Sequence, residues 1–210
     1  MSIKQLFLRS FAIASLAAGL AFAPASNAQA DERYVTLEPA QPSDTTGKVE
    51  VLEFFAYTCP HCFAMEPLAA KWAQTLPESV AFKRVPVGFN AGMADLQKLY
   101  YTLEALGRLD LHEKVFVALH RERKRLNNFN AMAGWIETQG VDRKEFEAAF
   151  NSFGINNKVA RANELTKNYK IDSTPSLAVG GRYVTSPGMT GTYEGAIVEA
   201  QKLLDTVLAK

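Results

Sequence analysis

Cysteine is almost absent from this chain: 210 residues hold two, Cys59 and Cys62. A disulfide-stapled secreted scaffold needs more, and so does a metal site built from four thiolates, so both are excluded. Histidine is nearly as scarce, with three residues. His112 and His120 fall on one expected helix but about 12 Å apart along its axis, too far to grip a single ion, and both are expected at the surface. Neither sign of charge is in excess, since Lys+Arg 23 against Asp+Glu 22 leaves +1. No tract concentrates the positive charge that binding a phosphate backbone requires, so no nucleic-acid partner is expected. Beyond residue 30 no apolar run approaches the roughly 20 residues that cross a bilayer, so no stable membrane insertion is expected either.

What is present is apolar material for one packed domain, 48% of all residues. The first thirty residues stand apart from it. Lys4 and Arg9 form a basic start, Phe11 to Ala23 is a short apolar stretch, and Ala28-Gln29-Ala30 offers small residues where a signal peptidase reads. Cleavage is expected after Ala30, leaving 180 residues with 21 basic and 22 acidic side chains. Export leads to an oxidising compartment, where a cysteine pair can hold or trade a disulfide.

Along the remaining chain, Tyr34 to Leu37 reads as a short strand followed by a polar loop. From Val49 to Tyr57 the chain is β-rich and, from Val51 on, nearly continuously apolar, as in a strand covered on both faces. After Cys62, residues Met65, Leu68, Ala69, Trp72 and Leu76 take up helical spacing, with Pro67 predicted to kink that helix. Val80 to Val87 reads as another strand. A helical block follows: Leu96 to Leu103 on one face, a second helix capped by Asp110, a third around Trp135, and a fourth opened by Asp142 and Glu145. At Ser176 the period returns to two, with Gly180-Gly181 as a hairpin turn, and Ala196 to Val207 forms a last amphipathic helix. One sheet domain, residues 31–90 and 154–210, is therefore expected to be interrupted by a helical insertion over 91–153.

The chemistry centres on Cys59-Pro60-His61-Cys62, placed between a buried strand and the first turn of a helix. Free backbone N–H groups and the positive helix end favour an anion there, which points to Cys59 as a thiolate. Pro60 suits a first-turn position that needs no donor, and His61 can add positive charge when protonated. A stabilised thiolate is a good leaving group, so the Cys59–Cys62 disulfide is expected to oxidise other thiols. An inert structural bridge fits poorly, because a loop this small constrains little of the unfolded chain. Glu53, on the apolar strand, should have a raised pKa and is a candidate proton acceptor for Cys62, or else the ion-pair partner of Lys83 or Arg84. Pro175 after Thr174 stands where a cis peptide bond would turn backbone toward a partner strand. Arg121-Glu122-Arg123-Lys124-Arg125 reads as a solvated helix end rather than a docking patch. A metal carrier using Cys59, His61 and Cys62 would want a fourth ligand nearby, so no metal is expected.

Phe54-Phe55-Ala56-Tyr57-Thr58-Cys59-Pro60-His61-Cys62 at a strand-to-helix junction, with a leader, a helical insertion and Thr174-Pro175 before a hairpin, resembles the DsbA family of periplasmic thiol:disulfide interchange proteins. The resemblance implies an α/β thioredoxin fold, a central mixed sheet flanked by helices, with an inserted helical domain. It further implies a monomeric periplasmic oxidase of reduced exported client proteins that uses its Cys59–Cys62 disulfide and no other cofactor. The membrane quinone reductase DsbB would reoxidise it. On this resemblance Cys59 is the exposed nucleophile, Cys62 its buried partner, His61 the residue tuning the thiolate, Glu53 the buried acid and Thr174-Pro175 the cis-proline loop. An isomerase of the related DsbC type carries an N-terminal dimerisation domain, for which the roughly 18 residues between Asp31 and Val49 leave no room.

Overall fold

The run from Val51 to Tyr57, with scarcely a polar side chain, calls for a strand with neighbours on every side. In the computed structural model, which describes residues 32–209, β1 is Val35–Thr36 and β2 is Val49–Phe55. Five strands form one sheet in the order β1-β5-β4-β2-β3, with β3 at Val80–Pro86, β4 at Ser176–Val179 and β5 at Tyr183–Thr185. β2 lies inside the sheet, parallel to β3 and antiparallel to β4. The expected leader and its cleavage point lie outside the described residues.

Helix α1, Pro60–Ala73, crosses from β2 to β3. With the last helix, α8 at Tyr193–Leu208, it buries one sheet face through Val51, Met65, Trp72, Leu177, Ala200 and Leu204. Between β3 and β4 the chain runs through α2 (Ala94–Ala105), α3 (His112–His120), α4 (Phe129–Thr138), α5 (Arg143–Phe150) and α6 (Phe153–Asn168). Leu99, Phe116, Met132 and Phe146 from these helices join Leu52, Phe54, Phe55 and Val85 of the sheet in one continuous apolar cluster. A four-residue helix, α7 at Pro187–Thr190, precedes α8.

Local chemistry accounts for most boundaries. The Asp142 side chain accepts the Lys144 and Glu145 N–H groups at 2.9 Å and caps α5, an arrangement worth about 1 kcal/mol. Asp110 does not cap α3 as expected. Arg108 grips its carboxylate at 2.9 and 3.1 Å in a single 3-10 turn, and α3 starts beyond it without a side-chain cap. Pro67, the residue expected to kink α1, lies on its exposed side, inside a helix that continues to Ala73. Gly180 and Gly181 have φ of 59° and 69°, and the Arg182 N–H closes the turn on the Val179 carbonyl. Val179 pairs with Tyr183, so Arg182 belongs to the loop as well.

Candidate active site

Cys59 occupies the N-cap position of α1, where Ser or Asn usually sits. Its backbone is extended (φ −87°, ψ 116°), and its sulfur accepts the Cys62 N–H at 3.4 Å. Pro60 takes the first helical position, where its missing donor leaves nothing unsatisfied. Across from the cap, the Thr174–Pro175 bond is cis and the Thr174 carbonyl oxygen lies 3.4 Å from Cys59 Sγ. Cys59 is half-buried and Cys62 only 1% exposed, and both are free thiols.

This placement separates two chemically identical groups. Cys59 is held down at about 5 against an ordinary 9.0, chiefly by the hydrogen bond from the Cys62 thiol. Burial opposes that effect, while the Thr174 side chain and the backbone N–H groups of Cys62 and His61 reinforce it. Cys62 goes the other way: burial pushes its thiol far up, and so does its hydrogen bond to Cys59. The pair in its reduced form thus holds a stabilised thiolate at the surface and a protonated thiol beneath it.

The imidazole of exposed His61 is turned toward α8, its Nδ1 2.8 Å from the Tyr193 hydroxyl. The two rings border a cleft of about 420 Å³, lined also by Thr174 and Pro175 of the cis bond and by Pro187 and Gly188. Pro60, His61, Cys62, Thr174 and Pro175 therefore all gather around Cys59.

Glu53 makes no hydrogen bond to either thiol. It is 1% exposed and register-paired with Arg84 of β3, whose Nε lies 3.1 Å from Glu53 Oε2. That N–H is directed at Glu66 instead, which Arg84 binds at 3.3 and 2.7 Å, so Glu53 Oε2 is buried without a hydrogen bond. Burial raises the Glu53 pKa well above the carboxylate range; the Glu66 charge adds to this and Arg84 opposes it. Of the two expected partners Arg84 is the one. Lys83 points to the opposite sheet face and binds Glu50 at 2.6 Å.

Three members of this buried group escape a reading of the sequence: Glu66, His112 and Tyr57. His112 is not at the surface as expected; it is 4% exposed and burial lowers its pKa. A neutral ring suits both contacts, with the Tyr57 hydroxyl donating to Nδ1 at 2.7 Å and Nε2–H donating to Glu66 at 3.2 Å. His120 is not at the surface either; it is half-buried, its Nε2–H donating to the Tyr57 carbonyl at 2.8 Å. The available signals are positional: Glu66 follows Cys62 by one helical turn, and His112 precedes the buried Val115 and Phe116 by three and four residues. Arg84 also lines a second cleft, of about 280 Å³, with Glu50, Lys83 and Glu104. Among the described residues no three His, Cys, Asp or Glu side chains are grouped to hold a metal ion.

A mixed sheet in which an inner strand runs into a Cys-x-x-Cys helix cap, faced by a cis-proline, defines a thioredoxin-fold dithiol–disulfide oxidoreductase. The family model described as DSBA-like thioredoxin domain matches residues 69–193. The thiol:disulfide interchange protein DsbA of Bordetella parapertussis is 54% identical over 199 residues, covering 94% of this chain and 95% of that one. That of Burkholderia cepacia is 39% identical over 198 residues, 92% of each. The crystal structure of Pseudomonas aeruginosa DsbA superposes with a TM-score of 0.81 at 35% identity, covering 84% of this chain and 93% of that one. The chain belongs to the DsbA-like thioredoxin family, and it is a thiol:disulfide oxidoreductase.

Proposed function

We propose that the chain donates its Cys59–Cys62 disulfide to reduced exported proteins in the periplasm and so drives their oxidative folding. The observation that carries this direction is the opposed placement of the two sulfurs: an acidified Cys59 at the helix cap above a buried Cys62. A client thiolate attacks Cys59 Sγ, the Cys59–Cys62 bond breaks, and Cys62 leaves and takes up a proton. A second client thiolate then attacks the client sulfur of the mixed disulfide, and Cys59 departs as a thiolate. Two electrons pass from client to enzyme, and the stability of the departing Cys59 thiolate favours the forward direction.

Within this scheme Cys59 is the nucleophile-facing sulfur and Cys62 the resolving one. His61 and Pro60 shape the cap, and Thr174 with Pro175 presents backbone to the client. Glu53 is assigned the proton exchange with Cys62, a role its raised pKa and unpartnered oxygen suit. Residues 31–90 and 154–210 are assigned to the thioredoxin-like domain, and 91–153 to the helical insertion. Residues 1–30 are the leader, removed after Ala30. The working form is a monomer, DsbB returns it to the disulfide state, and the cysteine pair is its redox group without a further cofactor.

Cys62→Ser tests the roles directly. It should accumulate mixed disulfides between Cys59 and client proteins, visible as adducts on non-reducing gels that dithiothreitol removes. Adducts formed by Cys59→Ser instead would reverse the assignment.

A further inference from the structure

Every arginine among the described residues meets a carboxylate within 4.0 Å except three: Arg121, Arg123 and Arg125. They share one exposed loop with Lys124, which pairs with Glu122 at 2.9 Å, so the loop carries a net charge of +3 in a chain otherwise close to neutral. The attraction of cations to a helix C-terminus reaches only the last turn and accounts for Arg121 alone, since α3 ends at His120.

The loop has a defined shape. The Arg121 and Glu122 N–H groups both bind the Val117 carbonyl, at 2.9 and 3.0 Å, and the Lys124 N–H binds that of Ala118 at 2.8 Å. Arg123 adopts φ of 54°, a left-handed conformation uncommon outside glycine. It also adjoins the reaction centre. The Arg121 guanidinium lies 5.2 Å from the centre of the Phe63 ring, which stacks on His120 at 5.3 Å. Phe63 directly follows Cys62, and its N–H binds the Cys59 carbonyl at 3.2 Å. One aromatic ring therefore separates Arg121 from the Cys-x-x-Cys turn, and Arg123 and Arg125 follow it in the same loop.

We propose that the loop Arg121–Arg125 is a docking surface for acidic segments of the thiol proteins this chain oxidises. The inference rests on the oxidase reading above and adds a preference among its clients. A client joined to Cys59 through sulfur and running past Phe63 and His120 would bring its carboxylates to three arginines that have no carboxylate partner of their own. Such rim charges act mainly on the association rate and are sensitive to salt.

The oxidised mature chain is mixed with either of two dithiol peptides that differ only in three residues beside the cysteines, Glu in one and Lys in the other. At low salt the acidic peptide should be oxidised about tenfold faster. The preference should disappear at about 1 M salt and in the triple variant Arg121→Ser, Arg123→Ser, Arg125→Ser. It should survive in Arg123→Lys, Arg125→Lys, which keeps the charge. Equal rates for the two peptides, or a preference that persists in the triple variant, would overturn the proposal. So would peptide rates untouched by the triple variant combined with lost binding to phosphatidylglycerol vesicles, which would assign the loop to a membrane surface. Oxidation of dithiothreitol by the wild-type chain keeps the two readings apart: its failure would overturn the oxidase reading, whereas its success with equal peptide rates would overturn only the docking surface.

Discussion

Above and below the first turn of α1 the protein holds charge in two different ways. Around Cys59, half-buried, the negative sulfur is stabilised by hydrogen bonds from Cys62, Thr174 and backbone N–H groups, with no salt bridge. Below it, Glu53, Glu66 and Arg84 lie in an interior where two carboxyls share one guanidinium, with neutral His112 bridging Glu66 to Tyr57. The upper site is built from a strand end, a helix start and one loop, and its parts are uncharged dipoles that cost little to bury. In the lower group each member is tolerable only while its neighbours are present. A thiolate can thus rest on a cap that folding supplies locally, while a buried group of charges needs an assembly that only the tertiary fold supplies.

Removing Arg84 should break this contrast most severely. Arg84→Met leaves two buried carboxyls without a cation and should cost about 3–5 kcal/mol at neutral pH in urea denaturation. The cost should shrink on acidification, because the carboxyls left behind then take up protons. An unchanged urea midpoint would show that the lower group is not an ion-paired assembly.

His112→Phe keeps a ring among Phe55, Tyr100 and Phe116 but strands the Tyr57 hydroxyl and one Glu66 contact. A loss of about 1–3 kcal/mol is expected. Because the folded state disfavours charged His112, wild type gives up stability as pH falls below 6.5, and the variant, lacking that group, should lose less over the same range. Parallel slopes in the two proteins would mean that His112 is freely protonated in the fold.

Glu53→Gln sharpens the comparison with a smaller effect. A carboxyl whose folded pKa is raised binds its proton more tightly folded than unfolded, so its contribution favours the fold at low pH and is lost as pH rises from 4.5 through the folded value. Gln has no such dependence. Urea midpoints measured from pH 5 to 8 should decline less in the variant than in wild type, and identical profiles would leave Glu53 ionised throughout.

The same contrast explains what was legible in the residues alone. Cys59 to Cys62, the mainly apolar β2 and the glycine turn at Gly180-Gly181, which Arg182 extends by one residue, are local patterns that the fold keeps. The choice between Lys83 and Arg84 was not local. Neighbouring residues on a strand face opposite ways, so the partner of Glu53 follows only from the parallel register that sets Glu53 opposite Arg84. His112 is illegible for a related reason: a polar ring at a helix start reads as exposed, and only Tyr57 and Glu66, from two other elements, satisfy both its nitrogens. Asp110 failed as a cap because Arg108, two residues earlier, competes for the same carboxylate.

By stabilising the Cys59 thiolate the fold makes the disulfide the less stable state. Paired denaturation curves of the reduced and oxidised forms measure this directly. A thiol whose folded pKa is depressed contributes stability that is complete above its unfolded value of 9.0 and is lost as pH falls through about 5. The disulfide form has no such group, and its short loop restrains the unfolded chain only weakly. At pH 7 the reduced form should be the more stable of the two, and the gap should widen from pH 5 toward pH 9. An oxidised form that is the more stable at pH 7, as for an ordinary structural disulfide, would contradict the account and point to a reductase.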